Sequence, residues 1–445
     1  MDKKILAIVA VVIIVVAGCA VILLKGGDKD DGYKSDNTDN RLKILGNADK
    51  NDYLDNDDVK AIQKMIDDKE PYDIMADANG DEKITDADVT YLQNILDAKK
   101  YNEGKADADK KTAEVKYISV DGDTLTATYP VKKMIVINSQ RQLSLAVAIG
   151  VGDRIVAIND YIKTYWDSNL YKDYESLPSV GDRKNPTLAL VATTDADTIV
   201  SGGKSQYAIN ITSETDIPGK QILRLTSWEN AGLPTGALML GFFTDADDAA
   251  EKYVKWMDDL SSEINDKLAK VENPKATKFY LGTPTYIYAQ TDGVSTALTL
   301  TGATNVGNIV QTDKTKAGIS ASSESVRTSV ALEGVDVFIY GAYIYTHQTT
   351  QEIQETLKDK IDGNGGKNFS TYYPTTNGVK NNNYYIINYD LPFVLGTLMG
   401  AYVMFGDVFT TEYVEETIKD YLDTFCNVHD YQFNLGNFVQ KYSAA

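Results

Sequence analysis

Apolar and polar positions change texture several times along the chain. From Ile5 to Leu24, "ILAIVAVVIIVVAGCAVILL", twenty consecutive residues carry no charge. At about 1.5 Å per residue such a run crosses a hydrocarbon core of roughly 30 Å as one helix. Gly26 to Asn40 is almost without apolar residues and reads as a solvated stalk. Two amphipathic helices follow. Val59, Ile62, Met65 and Ile66 line one face of the first, and Val89, Leu92, Ile95 and Leu96 repeat that face thirty residues on. A second polar stretch, Asp97 to Lys111, precedes a change to apolar, strand-like sequence, which places a domain boundary near residue 112.

Beyond that boundary strand and helix patterns alternate. "MIVIN" from Met134 predicts a strand, Arg141 to Ile149 a helix closed by Gly150, and "RIVAIN", Arg154 to Asn159, a second strand. Further strands are expected at Thr198–Val200, Gln221–Leu225, Lys278–Leu281, Asp336–Tyr340 and Tyr384–Asn388. A long helix is expected from Thr244 to Val271, with Thr244 as cap, Asp247 completing a capping-box-like start, and a stripe of Tyr253, Trp256, Met257, Leu260 and Ile264. Alternation of this kind predicts an α/β fold with mainly parallel sheets.

Charge and composition exclude whole classes of partner. Lys and Arg total 44 against 64 Asp and Glu, a net charge of −20, which repels nucleic acid and anionic lipid and favours a cation. The two cysteines, Cys19 and Cys426, are not expected to pair, because Cys19 lies inside the apolar run. Two histidines, His347 and His429, are too few for a multi-histidine metal site. Lys3 and Lys4 before the apolar run orient it with the bulk of the chain outside the cell. A retained membrane anchor is the favoured reading. The alternative is that "VAGC", Val16 to Cys19, is a lipobox and Cys19 is lipidated.

Each amphipathic helix is preceded by an acid-rich loop. Asn47, Asp49, Asn51, Asp55 and Asp58 stand at positions one, three, five, nine and twelve of the first loop. Asp77, Asn79, Asp81, Thr85 and Asp88 match them in the second, and Tyr53 and Lys83 fall at position seven, which supplies a backbone carbonyl. This is the oxygen spacing of an EF-hand-type Ca²⁺ loop. The bland alternative is a solvated acidic face on a helical pair. Residues 42–100 resemble a dockerin module, which implies bound Ca²⁺ and a cohesin-bearing partner. Against that pattern, position six holds Asp52 and Glu82 where Gly is usual, and positions ten and eleven hold Asn56-Asp57 and Asp86-Ala87. A module that keeps calcium but serves only as a stiff spacer is the other reading.

Residues 113–445 resemble the substrate-binding proteins of iron-siderophore and cobalamin ABC importers. The resemblance rests on "KKMIVINSQRQLSLAVAIGVGDRIVAIND", "LPSVGDRKNPTLALVATTDADTIV", the long helix, "GVDVFIYG" and "NNNYYIINYDLPFVLGTLMGAYVMFGDVF". It implies two Rossmann-like lobes joined by one helix (class III), with ligand between them and an ABC permease as partner. The family often has a Glu eight residues before the position of Asp197 for permease contact. Here that residue is Ala189, and Glu324 before Asp336 is the candidate on the second lobe. The whole chain is therefore expected as an anchor (1–25), stalk (26–41), dockerin-like module (42–100), linker (101–112) and binding domain (113–445).

Ligands of open α/β sheets sit beyond the carboxyl ends of strands. The residues there are aromatic: Tyr161, Tyr165 and Trp166, then Trp228, Tyr286 and Tyr288, Tyr343 and Tyr345, and Tyr389, with Arg141 beside the first strand end. Flat rings and phenolic oxygens suit a metal-chelate organic ligand, and Arg141 suits a carboxylate. The sequence holds no G-x-S-x-G, P-loop or H-E-x-x-H motif, so a catalytic role is not expected. The expected function is capture of an iron-siderophore, haem or corrinoid complex for an importer. The alternative is a surface assembly protein that docks to a cohesin.

Overall fold

The computed structural model describes residues 39–443 apart from 168, 212–216, 227–231, 389, 427 and 429–431. Ile5–Leu24, Cys19 and most of the stalk, together with Trp228, Tyr389 and His429, lie outside the described residues. Among the described residues no helix is long and apolar enough to cross a membrane.

The two repeats fold as α1 (Asn56–Asp68) and α2 (Asp86–Asn102). Each helix starts at the end of its acidic loop for a local reason. Asp55 caps α1 and Asp58 returns a hydrogen bond to the cap, and Thr85 and Asp88 do the same for α2. Positions nine and twelve of the loops are thus also capping boxes. The segment expected as a linker is folded in part. α2 runs through Asn102, whose Oδ1 accepts Lys111 N at 2.7 Å and whose Nδ2 donates to Lys111 O at 2.9 Å.

A two-stranded antiparallel ribbon, β1 (Ala113–Ile118) and β2 (Thr124–Tyr129), leads into the first lobe. There β3 (Met134–Ile137), β4 (Ile155–Ile158), β5 (Thr198–Ser201) and β6 (Gln221–Arg224) form an all-parallel sheet in the order β4-β3-β5-β6. These strands are short apolar runs buried on both faces, as a parallel sheet between helices requires. Helix α3 (Gln140–Ala148) follows β3 and stops where Gly150 takes φ +73°. Helices α4 (Asp160–Tyr165) and α5 (Leu188–Thr193) complete the described connections before β5.

Helix α6 (Gly232–Phe243), apolar nearly all round, has no counterpart in the periodicity reading. It is buried and crosses the spanning helix α7 (Asp247–Leu268) so closely that a Cβ on Gly241 would lie 2.4 Å from that of Ala250. α7 is shorter than Thr244–Val271, and Thr244 is not its cap. Thr244 Oγ1 donates back to Leu240 O at 2.6 Å and closes α6, while Ala246 precedes α7 without a side-chain cap. The expected stripe does face inward: Tyr253, Met257, Leu260 and Ile264 are buried, and Trp256 stacks between Tyr253 and Tyr421.

The second lobe is a mixed sheet. β7 (Lys278–Thr283), β11 (Val337–Ala342) and β12 (Tyr384–Asn388) run parallel at its centre, and β9 (Thr304–Asn305) pairs with β7. β8 (Tyr286–Tyr288) and β10 (Gly318–Ser320) extend one edge antiparallel, and β13 (Val439–Lys441) the other. The lobes share a local device: Asp197 accepts Lys133 N at 3.1 Å and Asp336 accepts Lys278 N at 2.9 Å, each tying the start of a sheet.

The paired-loop segment is continuous with the large core. Leu42, Ile44, Leu54, Ile62, Leu92 and Ile95 join the same apolar cluster as Val115, Tyr117, Tyr129 and Phe243. Its backbone extends the ribbon, with Leu45 N on Lys116 O and Ile118 N on Lys43 O, both at 2.9 Å. Starting the chain at residue 112 would expose that shared surface, so such a truncation is expected to lower the melting temperature of the remaining protein by on the order of ten degrees, read by calorimetry. An unchanged melting temperature would show that the lobes do not depend on the segment.

Candidate functional site: an interlobe cleft and paired acidic loops

The carboxyl ends of β3 and β4 face those of β11 and β12 across the lobe boundary, and the side chains there meet. Tyr161, in α4 after β4, shares a hydroxyl hydrogen bond of 2.9 Å with Tyr343, just after β11. Tyr165, one turn further along α4, places its ring 4.6 Å from that of Tyr161 and 5.0 Å from that of Tyr343. The Arg183 guanidinium lies 3.8 Å over the Tyr161 ring. Behind the tyrosines Asp167, buried, accepts Thr346 N at 2.6 Å and Thr346 Oγ1 at 2.8 Å, so a carboxylate of one lobe closes the loop of the other. Deeper still, Arg141 Nε stands 3.8 Å from Asp390 Oδ1, across from β12.

The structure brings Arg141, Tyr161, Tyr165 and Tyr343 together, with Tyr345 beside them, stacked on His347 at 5.4 Å. It sets the others apart. Trp166 is turned into the apolar core at 9 % exposure, because the end of the short α4 points it beneath the cleft. Tyr286 sits on β8, between β7 and β10, edge-on to Tyr288 at 5.2 Å. Trp228 and Tyr389 lie outside the described residues. Asp167, Arg183, Thr346 and Asp390 were not singled out from sequence. Asp167 and Asp390 follow expected strand-end residues by one or two positions, so the strand-end rule applied to acids as well as aromatics finds them.

Between the lobes about 30 Å³ of space remains beside Arg141, Asp390 and Phe393, and about 10 Å³ beside Tyr165, Tyr343 and Tyr345. These are water-sized, whereas organic ligands occupy roughly 300–1,000 Å³. In this conformation the space between the lobes is filled by the tyrosines, with the Tyr161–Tyr343 and Asp167–Thr346 bonds bridging it. A larger open groove, about 620 Å³, lies at the opposite, amino-terminal ends of β5 and β6, between Thr128, Lys132, Asp197 and Lys220. It lacks the aromatic lining of the cleft.

In the first loop Asn47 is fully buried. Its Nδ2 donates to Leu42 O at 2.8 Å and to Asn51 O at 2.9 Å, which holds the amide inside the loop, while its Oδ1 is buried with no donor. Asp58, also buried, accepts Asp49 N at 3.2 Å and Asp55 N at 2.9 Å. Burial first, then repulsion from Asp49 and Asp55, pushes its carboxyl up to about 8. The second loop repeats the pattern, with Asn79 N and Thr85 N donating to Asp88 and Asp81 N to Asp77, and burial raises Asp88. The tight turn is made at position four, by Lys50 at φ +63° and Gly80 at φ +68°. A glycine at position six is therefore not needed in the first loop.

Among the described residues no three His, Cys, Asp or Glu side chains are gathered as a metal site. The loops instead mix acids with amide, hydroxyl and carbonyl oxygens. A buried amide oxygen without a donor, Asn47 Oδ1, beside loop carboxylates fits a hard cation. Asn47, Asp49, Asn51, Asp55, Asp58 and the Tyr53 carbonyl would hold one. Asp77, Asn79, Asp81, Thr85, Asp88 and the Lys83 carbonyl would hold another, and Ca²⁺ when bound would supply the missing positive charge.

The family model described as periplasmic binding protein matches residues 135–358, half of the chain. The chain belongs to the periplasmic binding protein family. Members are non-enzymatic ligand-binding components of transport. No match is found among curated proteins. Among solved structures, the TroA-like periplasmic binding protein FepB of Veillonella parvula is 15 % identical with a TM-score of 0.58, covering 74 % of this chain and 99 % of that one. MolA of Haemophilus influenzae, solved with molybdate, is 14 % identical with a TM-score of 0.55, covering 70 % and 98 %. CeuE of Helicobacter pylori, solved as a nickel-histidine complex, is 17 % identical with a TM-score of 0.54, covering 71 % and 97 %. At these identities the likeness is one of fold.

Burial, opposed by Arg141 and Gln140, pushes the Asp390 carboxyl of this binding protein up to about 7 from 3.8. The folded protein therefore holds a proton there that the unfolded chain has lost, and stability falls as pH rises from about 4 to 7. Asp390→Asn is expected to flatten that part of the melting-temperature profile by on the order of a few degrees, measured by thermal unfolding across pH. A profile parallel to that of the unmodified protein would show that Asp390 ionises normally.

Proposed function

We propose that the protein captures a metal-chelate organic ligand, an iron-siderophore, haem or corrinoid complex, outside the cell and delivers it to an ABC permease. The observation that supports this most directly is the interlobe cluster of Tyr161, Tyr165 and Tyr343 with Arg141 and Arg183 at the carboxyl ends of the parallel strands of two facing sheets. Rings offer broad apolar faces and hydroxyls to a large planar or macrocyclic chelate, and the guanidinium groups offer charge to its carboxylates or phenolates. MolA was solved with molybdate and CeuE as a nickel-histidine complex, so metal-containing ligands occur on this fold. Ile5–Leu24 tethers the protein to the outer face of the membrane, with lipidated Cys19 as the alternative anchor. The acidic loops bind Ca²⁺. Packing of the paired-loop segment against the lobes favours an internal structural role for it over docking to a cohesin.

Titration of the full chain with ferric siderophores, haem and cobalamin, followed by intrinsic fluorescence, is expected to give saturable binding tighter than about 10 μM for one of them. Tyr343→Ala should weaken that binding roughly ten- to a hundredfold, the loss of about 1–3 kcal/mol. Absence of saturable binding across the series overturns the ligand class.

A further inference from the structure

The sixth residue of the first loop is built differently from that of the second. Glu82 is exposed at φ +66°. Asp52 is buried, and both of its carboxylate oxygens are taken by Arg41, from Nε at 3.0 Å and from Nη2. The remaining guanidinium nitrogen, Nη1, reaches both oxygens of Asp258 on α7, at 3.0 and 2.9 Å. One arginine therefore grips the first loop with one edge and the spanning helix with the other. Other contacts join the rest of the amino-terminal segment to the start of that helix: Lys99 of α2 pairs with Asp247 at 2.8 Å, and Lys110 pairs with Asp245, just before α7, at 2.6 Å.

We propose that Arg41 couples cation binding in the first loop to the two-lobe domain, so that filling Asn47–Asp58 steadies the spanning helix through the Arg41–Asp258 contact. This rests on the calcium reading of the loops given above. Asp52 lies between the fifth and seventh positions, Asn51 and Tyr53. A cation that draws the Asn51 side chain and the Tyr53 carbonyl inward fixes the backbone from which Asp52 reaches Arg41. In the other direction, Arg41 neutralises an acid that would otherwise add to the crowding around Asp49, Asp55 and Asp58, and it holds the loop in shape before the cation arrives. Coupling of this kind is reciprocal: what loop occupancy does for the helix contact, the helix contact does for loop affinity. Asp258 is suited to test it, since it belongs to the spanning helix, is 42 % exposed and lies outside the loop.

The test is calorimetric titration of the full chain with calcium chloride, with thermal unfolding in calcium and in chelator. In a chain carrying Asp88→Ala, where the first loop alone titrates, Asp258→Asn is expected to weaken Ca²⁺ about tenfold and to shrink the calcium-induced rise in melting temperature. Arg41→Lys, which keeps the charge but loses the two-edged grip, should do the same. In a chain carrying Asp58→Ala, Asp258→Asn should leave the second loop's affinity within about twofold. First-loop affinity unchanged by Asp258→Asn overturns the coupling while leaving calcium binding intact. No binding heat in the unmodified chain overturns the calcium reading and the coupling together.

Discussion

Ala250, Tyr253, Val254, Met257, Leu260 and Ile264 form one apolar stripe along the spanning helix, and the rest of the molecule is arranged around it. At 22 residues the helix is about 33 Å long, enough to run from one lobe to the other. Its buried face meets α6 of the first lobe at the Gly241–Ala250 crossing and, through the Tyr253–Trp256–Tyr421–Phe425 ring cluster, the carboxyl-terminal helices of the second. A continuous helix resists bending, because bending it breaks backbone hydrogen bonds in series. The relative placement of the strand ends, and so the shape of the cleft, follows from that one stiff element. Its solvent side is used as well. Asp247, Asp258 and nearby Asp245 receive Lys99, Arg41 and Lys110 from the amino-terminal segment, and acids in the first helical turn also suit the positive end of the helix dipole.

Against a net charge of −20, three half-buried arginines stand at boundaries between parts. Arg41 joins loop to helix, and Arg141 and Arg183 stand at the lobe boundary. In the cleft the cations face phenols and a carboxyl group that burial keeps partly protonated. Such an arrangement has little charge of its own to satisfy when shut and offers rings, hydroxyls and guanidinium groups when opened. Shut, it is held by few bonds, Tyr161 to Tyr343 and Asp167 to Thr346 among them.

Much of the fold was legible because its signals are local. Met134–Ile137, Ile155–Ile158, Lys278–Thr283 and Tyr384–Asn388 are apolar runs bounded by turn residues, and they became strands within a residue or two of expectation. The thirty-residue repeat gave matched helices because each loop supplies its own cap. Where a residue had two local uses, sequence could not choose. Thr244 is as good a cap for the following helix as a terminator of the preceding one, and the buried α6 settled it. Helix α6 itself, apolar on every side, has no amphipathic period to detect.

For the site, sequence determined the kind of chemistry at the strand ends: tyrosines and an arginine, with two acidic loops whose oxygens recur at the same offsets. Those follow from residue order and strand periodicity alone. Which strand-end rings meet was decided by tertiary structure. Tyr161 and Tyr343 are 182 residues apart and touch because two lobes close on one helix, while Trp166, next in sequence to Tyr165, turns into the core. The partners of charge were likewise invisible in sequence. Asp52 finds Arg41 nearby, but Asp258 lies 217 residues from Arg41, and only the packing of the amino-terminal segment on the spanning helix brings them into contact. Local order sets what a segment can do, and long-range burial decides which distant group it does it to.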